Sequence, residues 1–322
     1  MALYFGSNIA YATVAIMGGD TTVGYFTALE FLKLKDHGVV KEISVGYIDE
    51  HSPLVKDLKE HSGAHTVRFD LDDENTMIQA FDGMQCAVIC PPVTSRHIDK
   101  AKQLVQVAKK STQLRHVLLV SVLHSEKLRD WDRLWPIHEM QAEFEEAANH
   151  WDTACVLCPS LMMNCLHYLR HVIREKRELM WLTEHERVAP VDYRDVAAAI
   201  SRIATKHMAE GSDQRFSKYC ITGSQLLSGK QMAKECSKVL NTRIEFKKVD
   251  ARAMRDHFEQ YHEFNSEAIH AMVQALEVVA KGYWNKKYPD LERLLGEPPT
   301  TLEEYLHRNR HEFETPHRCK DQ

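Results

Sequence analysis

A glycine-punctuated turn near the start constrains this chain most. Thr13–Met17 (TVAIM) is an apolar run of strand length, followed by Gly18, Gly19, Asp20, Thr21, Thr22, Val23 and Gly24 and then by an amphipathic stretch at 25–34. Strand, glycine turn and helix in that order predict the opening of a dinucleotide-binding βαβ unit. A turn poor in side chains lets backbone N–H groups approach a pyrophosphate, and the helix N-terminus that follows carries partial positive charge. The alternative is a glycine turn that only packs a helix on a sheet. Gly18 and Gly24 keep a G-x-x-x-x-x-G spacing, but Thr21 stands where a middle glycine is expected. A β-carbon at positive φ costs roughly 1–2 kcal/mol, and at Thr21 it would also crowd the phosphates.

The segments that follow alternate. Apolar runs at 42–48 (EISVGYI), 66–70 (TVRFD), 86–90 (CAVIC), 116–121 (HVLLVS) and 153–158 (TACVLC) are separated by helix-like stretches at 53–62, 75–81, 98–110 and 137–150. Short apolar runs between helical patterns predict an α/β protein, a doubly wound parallel sheet of the Rossmann kind. A ligand then lies outside the carboxyl ends of the strands, at the loops 18–24, 49–53, 70–75, 91–96 and the segment after Ser121. Beyond about residue 160 the rhythm loosens. The pattern predicts a helix at 193–207, short strands at 219–222 and 243–249 around a helix at 228–240, and helices at 251–261, 266–282 and 301–312. These form a small C-terminal α+β lobe. The division expected is 1–160 for the dinucleotide-binding domain and 161–322 for a substrate or partner lobe, with some segments returning to the core. The polar residues 315–322 are expected to fray.

Bulk properties narrow the function classes. The chain has 322 residues, 44% hydrophobic and 27% charged, which suits one large domain or a domain with a smaller lobe. A net charge of −5 and no basic cluster interleaved with aromatics argue against nucleic acid as a partner. No apolar stretch approaches the roughly 20 residues of a membrane-spanning helix. The first residues (MALYFGSNIAYA) lack the pattern of a signal peptide, so the eight cysteines read as reduced thiols in a cytoplasmic protein.

Several segments together resemble the NmrA-like family of atypical short-chain dehydrogenase/reductases, Rossmann proteins that bind NAD(P), some of which regulate transcription rather than catalyse. The turn 18–24 is similar to the family's G-A-T-G-x-x-G. Residues 69–73 (FDLDD) with Ala80, Phe81, Asp82 and Gly83 resemble its G-D-L-D-D…A-L-x-G, and 116–122 (HVLLVSV) resembles its strand ending in Ser-Ser. Residues 190–200 (PVDYRDVAAAI) resemble its small-lobe signature and 298–313 (PPTTLEEYLHRNRHEF) its C-terminal tail. The resemblance implies that Gly18, Gly19, Thr21, Thr22, Val23 and Gly24 form the pyrophosphate turn. It implies that Ile48 or Asp49 faces the adenine ribose, and that Asp70 and Leu71 flank the adenine. Cys90, Pro91 and Pro92 would lie under the nicotinamide ribose, with Ser121 near the nicotinamide. Met162, Met163 and Asn164 fall where relatives line the substrate site, though core packing suits the methionines equally.

The departures from the family carry information. Relatives that bind NADP place an Arg at the end of the second strand, whereas this chain has Tyr47, Ile48 and Asp49. A carboxylate there favours a ribose 2′-OH over a 2′-phosphate, so NAD is weakly preferred over NADP. Reductases of the superfamily use a Lys, often within Tyr-x-x-x-Lys, on the helix after the fifth strand. Here no Lys occurs between Lys127 and Lys176 and no Tyr between Tyr47 and Tyr168. His138 stands near the expected Lys and, with Ser121, is the candidate for proton transfer, since histidine ionises near neutral pH. A solvent-facing helix-start histidine is the alternative.

Other residues point less far. Cys155 and Cys158 sit on opposite faces of a strand, so neither a redox pair nor a metal pair is expected. His167/His171 and His307/His311 have metal-compatible spacing without an evident third ligand. The loop Asp49, Glu50 and His51 is polar as loops are, and Glu143, Glu145 and Glu146 read as a solvated helix face.

The expectation is a redox-sensing or regulatory dinucleotide binder lacking the Tyr/Lys pair, cytoplasmic or nuclear, with a possible protein partner for its C-terminal lobe. The alternative is an NAD(P)-dependent oxidoreductase acting on a small carbonyl or quinone, and a weaker third possibility is a scaffold with no cofactor.

Overall fold

The computed structural model describes residues 12–60, 64–93, 98–210 and 215–314. Residues 1–11, the end of the 91–96 loop and the 315–322 tail lie outside them. Two compact units emerge. The first comprises Met1–Pro159, Tyr193–Ile221 and Tyr288–Glu297, and the second comprises Ser160–Asp192, Thr222–Lys287 and Pro298–Gln322.

The first unit is a parallel sheet with helices on its faces. Its elements in chain order are β1 (Thr13–Met17), α1 (Thr22–Asp36), β2 (Glu42–Tyr47), α2 (Pro53–Glu60), β3 (His65–Arg68), α3 (Glu74–Phe81), β4 (Cys86–Ile89), α4 (Gln103–Lys110), β5 (His116–Val120), α5 (Trp135–Ala147), β6 (Thr153–Pro159), α6 (Tyr193–Glu210), β7 (Phe216–Ile221) and α7 (Asp290–Leu295). The strands run in the order β3-β2-β1-β4-β5-β6-β7, and every pairing is parallel. The central strands β1, β4 and β6 are buried along their whole length, as a sheet covered on both faces requires. The chain winds one way from β1 to β2 and β3 and the other way from β4 onward, so the switch point lies between β1 and β4.

Three expectations change. The strand expected near 219–222 in the lobe is β7, which extends the main sheet beside β6. Its burial pattern is mostly half-exposed, as an edge strand allows, and that weak patterning hid its partner. The helix expected over 98–110 is a 3₁₀ turn (Ile98–Lys100) followed by α4. The helix expected in the lobe at 193–207 is α6 of the first unit. It packs on α1, with Phe26 stacked on Tyr193 at 4.3 Å and the Arg194 guanidinium over the Phe26 ring.

The second unit is mainly helical. Its helices include Gly229–Leu240, Ala251–Gln260, Ser266–Ala280 and Leu302–Arg308. Glu178–Trp181 pairs in parallel with Glu245–Lys248, and Arg187–Val188 pairs antiparallel with Leu227–Ser228. Capping boxes start two of the helices, Ser228 with Gln231 and Thr301 with Glu304. Asp192, fully buried, is held by Arg308, so two of the family-like segments meet in one ion pair. No described helix is long and apolar enough to cross a membrane.

Candidate functional site

The β1–α1 turn is built from two glycines that nothing else could replace. Gly18 adopts φ +101°, and a β-carbon there would overlap the Cys90 carbonyl at the end of β4. A β-carbon at Gly24 would overlap the Gly18 carbonyl. The two loops flanking the switch point thus touch through bare backbone.

Thr21 corrects the expectation of strain. It lies at φ −98°, ψ 152°, extended backbone open to any residue, and serves as the N-cap of α1. Its hydroxyl donates to the Gly18 carbonyl at 2.7 Å and accepts from the Gly24 amide at 3.1 Å. The positive φ belongs to Gly18 instead, and threonine is a favoured cap.

The remaining amides divide sharply. Gly18 and Gly19 both donate to the Gly46 carbonyl of β2, at 2.9 and 2.8 Å. Within the turn, the amides of Thr22 and Val23 donate to nothing among the described residues. They stand in the first turn of α1, where the macrodipole favours an anion. A bare-backbone cradle and two uncommitted amides fit a diphosphate.

Asp20 is a site residue that sequence reasoning missed. Its Oδ2 accepts from the amides of Ile48 at 3.1 Å and Asp49 at 2.9 Å, while Oδ1 is buried with no partner among the described residues. Burial raises its carboxyl above the usual range, against the lowering by the amides that bond it. The third position of the turn therefore carries a carboxylate to the end of β2. Only the residue type was visible in sequence, since its partners lie far along the chain.

The other adenosine-side candidates are placed as follows. Ile48 is half-buried and Asp49 exposed, with Asp49 Oδ1 accepting from the His51 amide at 2.9 Å. Leu71 is buried. Asp70 is exposed, its carboxylate takes the Asp72 amide at 2.9 Å, and its own amide donates to Thr76. Cys90, Pro91 and Pro92 are buried beyond β4, and burial pushes the Cys90 thiol up to about 12.

On the other side of the switch point, Ser121 leaves β5 and donates to Gln141 Oε1 at 2.5 Å. Ser125 also meets Gln141 Oε1, at 2.9 Å, and His138 Nδ1 at 3.1 Å. Gln141 Nε2 donates to Glu145 at 2.7 Å, and Lys218 of β7 completes the array on Glu145 at 3.1 Å. Ser121 and His138, the two candidates for proton transfer, thus belong to one network. Ser125, Gln141 and Lys218 were not singled out from sequence, and Glu145, read there as part of a solvated face, is held by two partners. The spacing of His138, Gln141 and Glu145 along one helix face was the available signal.

The remaining candidates scatter. Met162, Met163 and Asn164 belong to the second unit, where Met163 is buried and its amide donates to the Val191 carbonyl at 2.9 Å. Cys155 and Cys158 are buried, and burial pushes their thiols up. His167 bonds Tyr305 at 2.8 Å and His171 bonds Glu263 at 2.9 Å. Among the described residues no group of three or more His, Cys, Asp or Glu could hold a metal ion.

The family model described as the NmrA-like family matches residues 12–306. No curated protein matches the chain in sequence. Among solved structures, the chain is similar to the NADPH-dependent quinone oxidoreductase QOR2 of Escherichia coli, with 16% identity, a TM-score of 0.73 and coverage of 92% of this chain and 99% of that one. It is similar to the triphenylmethane reductase of a Citrobacter species, solved with NADP(H), at 15% identity and TM-score 0.74, covering 92% and 99%. It is also similar to NmrA, a negative transcriptional regulator solved with NAD, at 12% identity and TM-score 0.70, covering 92% and 95%. At these identities the likeness is one of fold.

Proposed function

The chain belongs to the NmrA-like family, and from that membership we propose that its first unit holds a nicotinamide dinucleotide and that the protein is a redox-sensing, regulatory dinucleotide binder. The observation that carries the reading is the pair of uncommitted amides, Thr22 and Val23, at the start of α1 beside a backbone-only turn. The diphosphate would sit on them. Similar folds are described with NADPH, NAD and NADP bound. The regulatory half rests on α5, which carries neither Tyr nor Lys. Regulation requires that one nucleotide form favour one conformation, by an affinity difference that sets the coupling. The second unit would offer the surface for a protein partner, and Met162, Met163 and Asn164 the contacts for a substrate. Among nucleotides NAD is favoured, because Asp20 and Asp49 bring carboxylates to the end of β2, where a 2′-phosphate would meet like charge. A cytoplasmic setting, or a nuclear one, suits the described cysteines, all free thiols.

One observation favours a second reading. The network of Ser121, Gln141, Ser125 and His138 gives α5 a proton-carrying group near the exit of β5. An NAD(P)-dependent oxidoreductase acting on a small carbonyl or quinone would use it. The bound reduced dinucleotide would supply hydride; His138 would orient the substrate oxygen and provide its proton, and Ser121, whose own proton goes to Gln141, would assist by holding that network. Calorimetric titration with NAD, NADH, NADP and NADPH, followed by turnover assays with quinones and aldehydes, separates the readings. Binding without turnover supports the regulator, and turnover lost in His138→Ala supports the enzyme. Absence of binding by all four nucleotides overturns both.

A further inference from the structure

Along α5, His138, Gln141 and Glu145 are three and four residues apart and share one face. Their hydrogen bonds form a chain whose direction is fixed at each joint. Lys218 Nζ donates to Glu145 Oε1 at 3.1 Å, which marks Glu145 as a carboxylate. That same oxygen takes a 2.7 Å bond from Gln141, which only the amide nitrogen can donate. The other end of the Gln141 side chain is therefore its carbonyl. Ser121 and Ser125 approach that oxygen at 2.5 and 2.9 Å, and both hydroxyls must donate, because a carbonyl only accepts. The Cys158 thiol lies at 3.9 Å from the same atom, as a third and weaker donor. Ser125 has one proton, and Gln141 takes it. The 3.1 Å contact between Ser125 and His138 is then a bond donated by Nδ1–H. Nε2 of the neutral ring is left bare, and it makes no hydrogen bond among the described residues. The Trp135 ring, with its centroid 4.5 Å from that of the imidazole and 39° between planes, packs against His138.

We propose that His138 Nε2 is the proton-exchanging atom of this site, and that Ser125 and Gln141 are positioning residues holding the imidazole in its Nδ1–H form. The proposal rests on the oxidoreductase reading above. In carbonyl reduction the ring starts doubly protonated. The carbonyl carbon receives hydride, with its two electrons, from the reduced nicotinamide dinucleotide, and a C–H bond forms. The carbonyl π pair moves to oxygen, and oxygen takes the Nε2 proton. The imidazole is left neutral with its hydrogen on Nδ1, the form Ser125 already holds, and water returns a proton to Nε2. No ring flip or tautomer exchange is needed in the cycle.

The test uses the full chain labelled with ¹⁵N-histidine. Ring-nitrogen resonances, assigned by loss in His138→Gln, report the tautomer of the neutral ring without nucleotide. The expected wild-type form is Nδ1–H. Ser125→Ala moves the ring toward Nε2–H, and Ser125→Thr, which keeps the hydroxyl, restores Nδ1–H. In turnover with NADH and quinones or aldehydes, Ser125→Ala lowers kcat about tenfold with KM little changed, and Ser125→Thr recovers it; His138→Gln loses about a hundredfold and the pH profile loses one limb. A wild-type ring in the Nε2–H form overturns the proposal, and needs no variant to be folded. A tautomer unmoved by Ser125→Ala overturns the positioning role. Wild-type protein with the expected tautomer that binds NADH yet turns nothing over overturns the proton-exchange role and the oxidoreductase reading together, leaving the regulatory reading intact. Absence of NADH binding overturns the nucleotide assignment itself.

Discussion

Thr21 shows how one residue can be misjudged from its place in a motif. Its position matched a glycine, and glycine there implied positive φ; in the structure the turn moves that φ to Gly18 and uses the threonine as a cap. Thr21→Ala should therefore cost about 1 kcal/mol of stability, and Thr21→Gly only a few tenths. Urea denaturation measures both, and a stabilising Thr21→Gly would contradict the capping role. Gly18 and Gly24 were legible because their reason is local: bare backbone must meet bare backbone. Asp20 was not, since its carboxylate acts on the amides of Ile48 and Asp49, brought close only by the pairing of β1 with β2. Asp20→Ser removes that charge. It should narrow the proposed preference for NAD over NADP by about tenfold, roughly 1.4 kcal/mol, as read by calorimetric titration of both nucleotides. A preference that stays the same or widens would show that Asp20 takes no part in nucleotide choice.

At the scale of elements, the inner strands of the sheet were legible because parallel strands buried on both faces read as continuous apolar runs. β7 carried no such run, and its place in the sheet came from pairing with β6 alone. Helix α5 was legible as a helix with His138 as a candidate on it, but its hydrogen-bond network was not legible. The Tyr-x-x-x-Lys pattern is absent from it, and the meaning of His138, Gln141 and Glu145 depends on Ser121, Ser125 and Lys218 from other elements. Helix α6 carries a pH dependence of its own. Burial is the main cause that lowers His207 to about 4, aided by His116 and Lys206, and its Nδ1 has no partner among the described residues. The folded state keeps this ring neutral, whereas the unfolded chain takes up a proton below about 6.5. Its contribution is complete above that pH and is lost as pH falls from about 6.5 toward 4, by an amount on the order of 2 kcal/mol. Denaturation midpoints across that window should slope less in His207→Gln than in the wild type. Equal slopes would remove His207 from the account.

For the whole molecule, the chain leaves the first unit after Pro159, returns at Tyr193–Ile221 and again at Tyr288–Glu297. The expectation from sequence, a boundary near residue 160 with some segments returning to the core, could not say which segments return, because a boundary read from composition follows the chain and not the contacts. The second unit has its own internal tie between the buried Asp192 and the exposed Arg308. Arg308→Met strips the guanidinium from a carboxylate with no solvent exposure and should cost on the order of 3 kcal/mol. Urea denaturation checks it, and an unchanged midpoint would mean that other groups carry Asp192. For the first unit we propose that the amides that open α1 hold a diphosphate. Thr22→Pro tests it most directly. Thr22 is the first residue of α1, and Thr21 before it is extended, so proline is tolerated there while one binding amide disappears. Calorimetric titration with NADH should show saturable binding to the wild type and an affinity lowered about tenfold or more in Thr22→Pro, with the urea midpoint kept. Equal affinity in the two proteins, or no binding by the wild type, would contradict it.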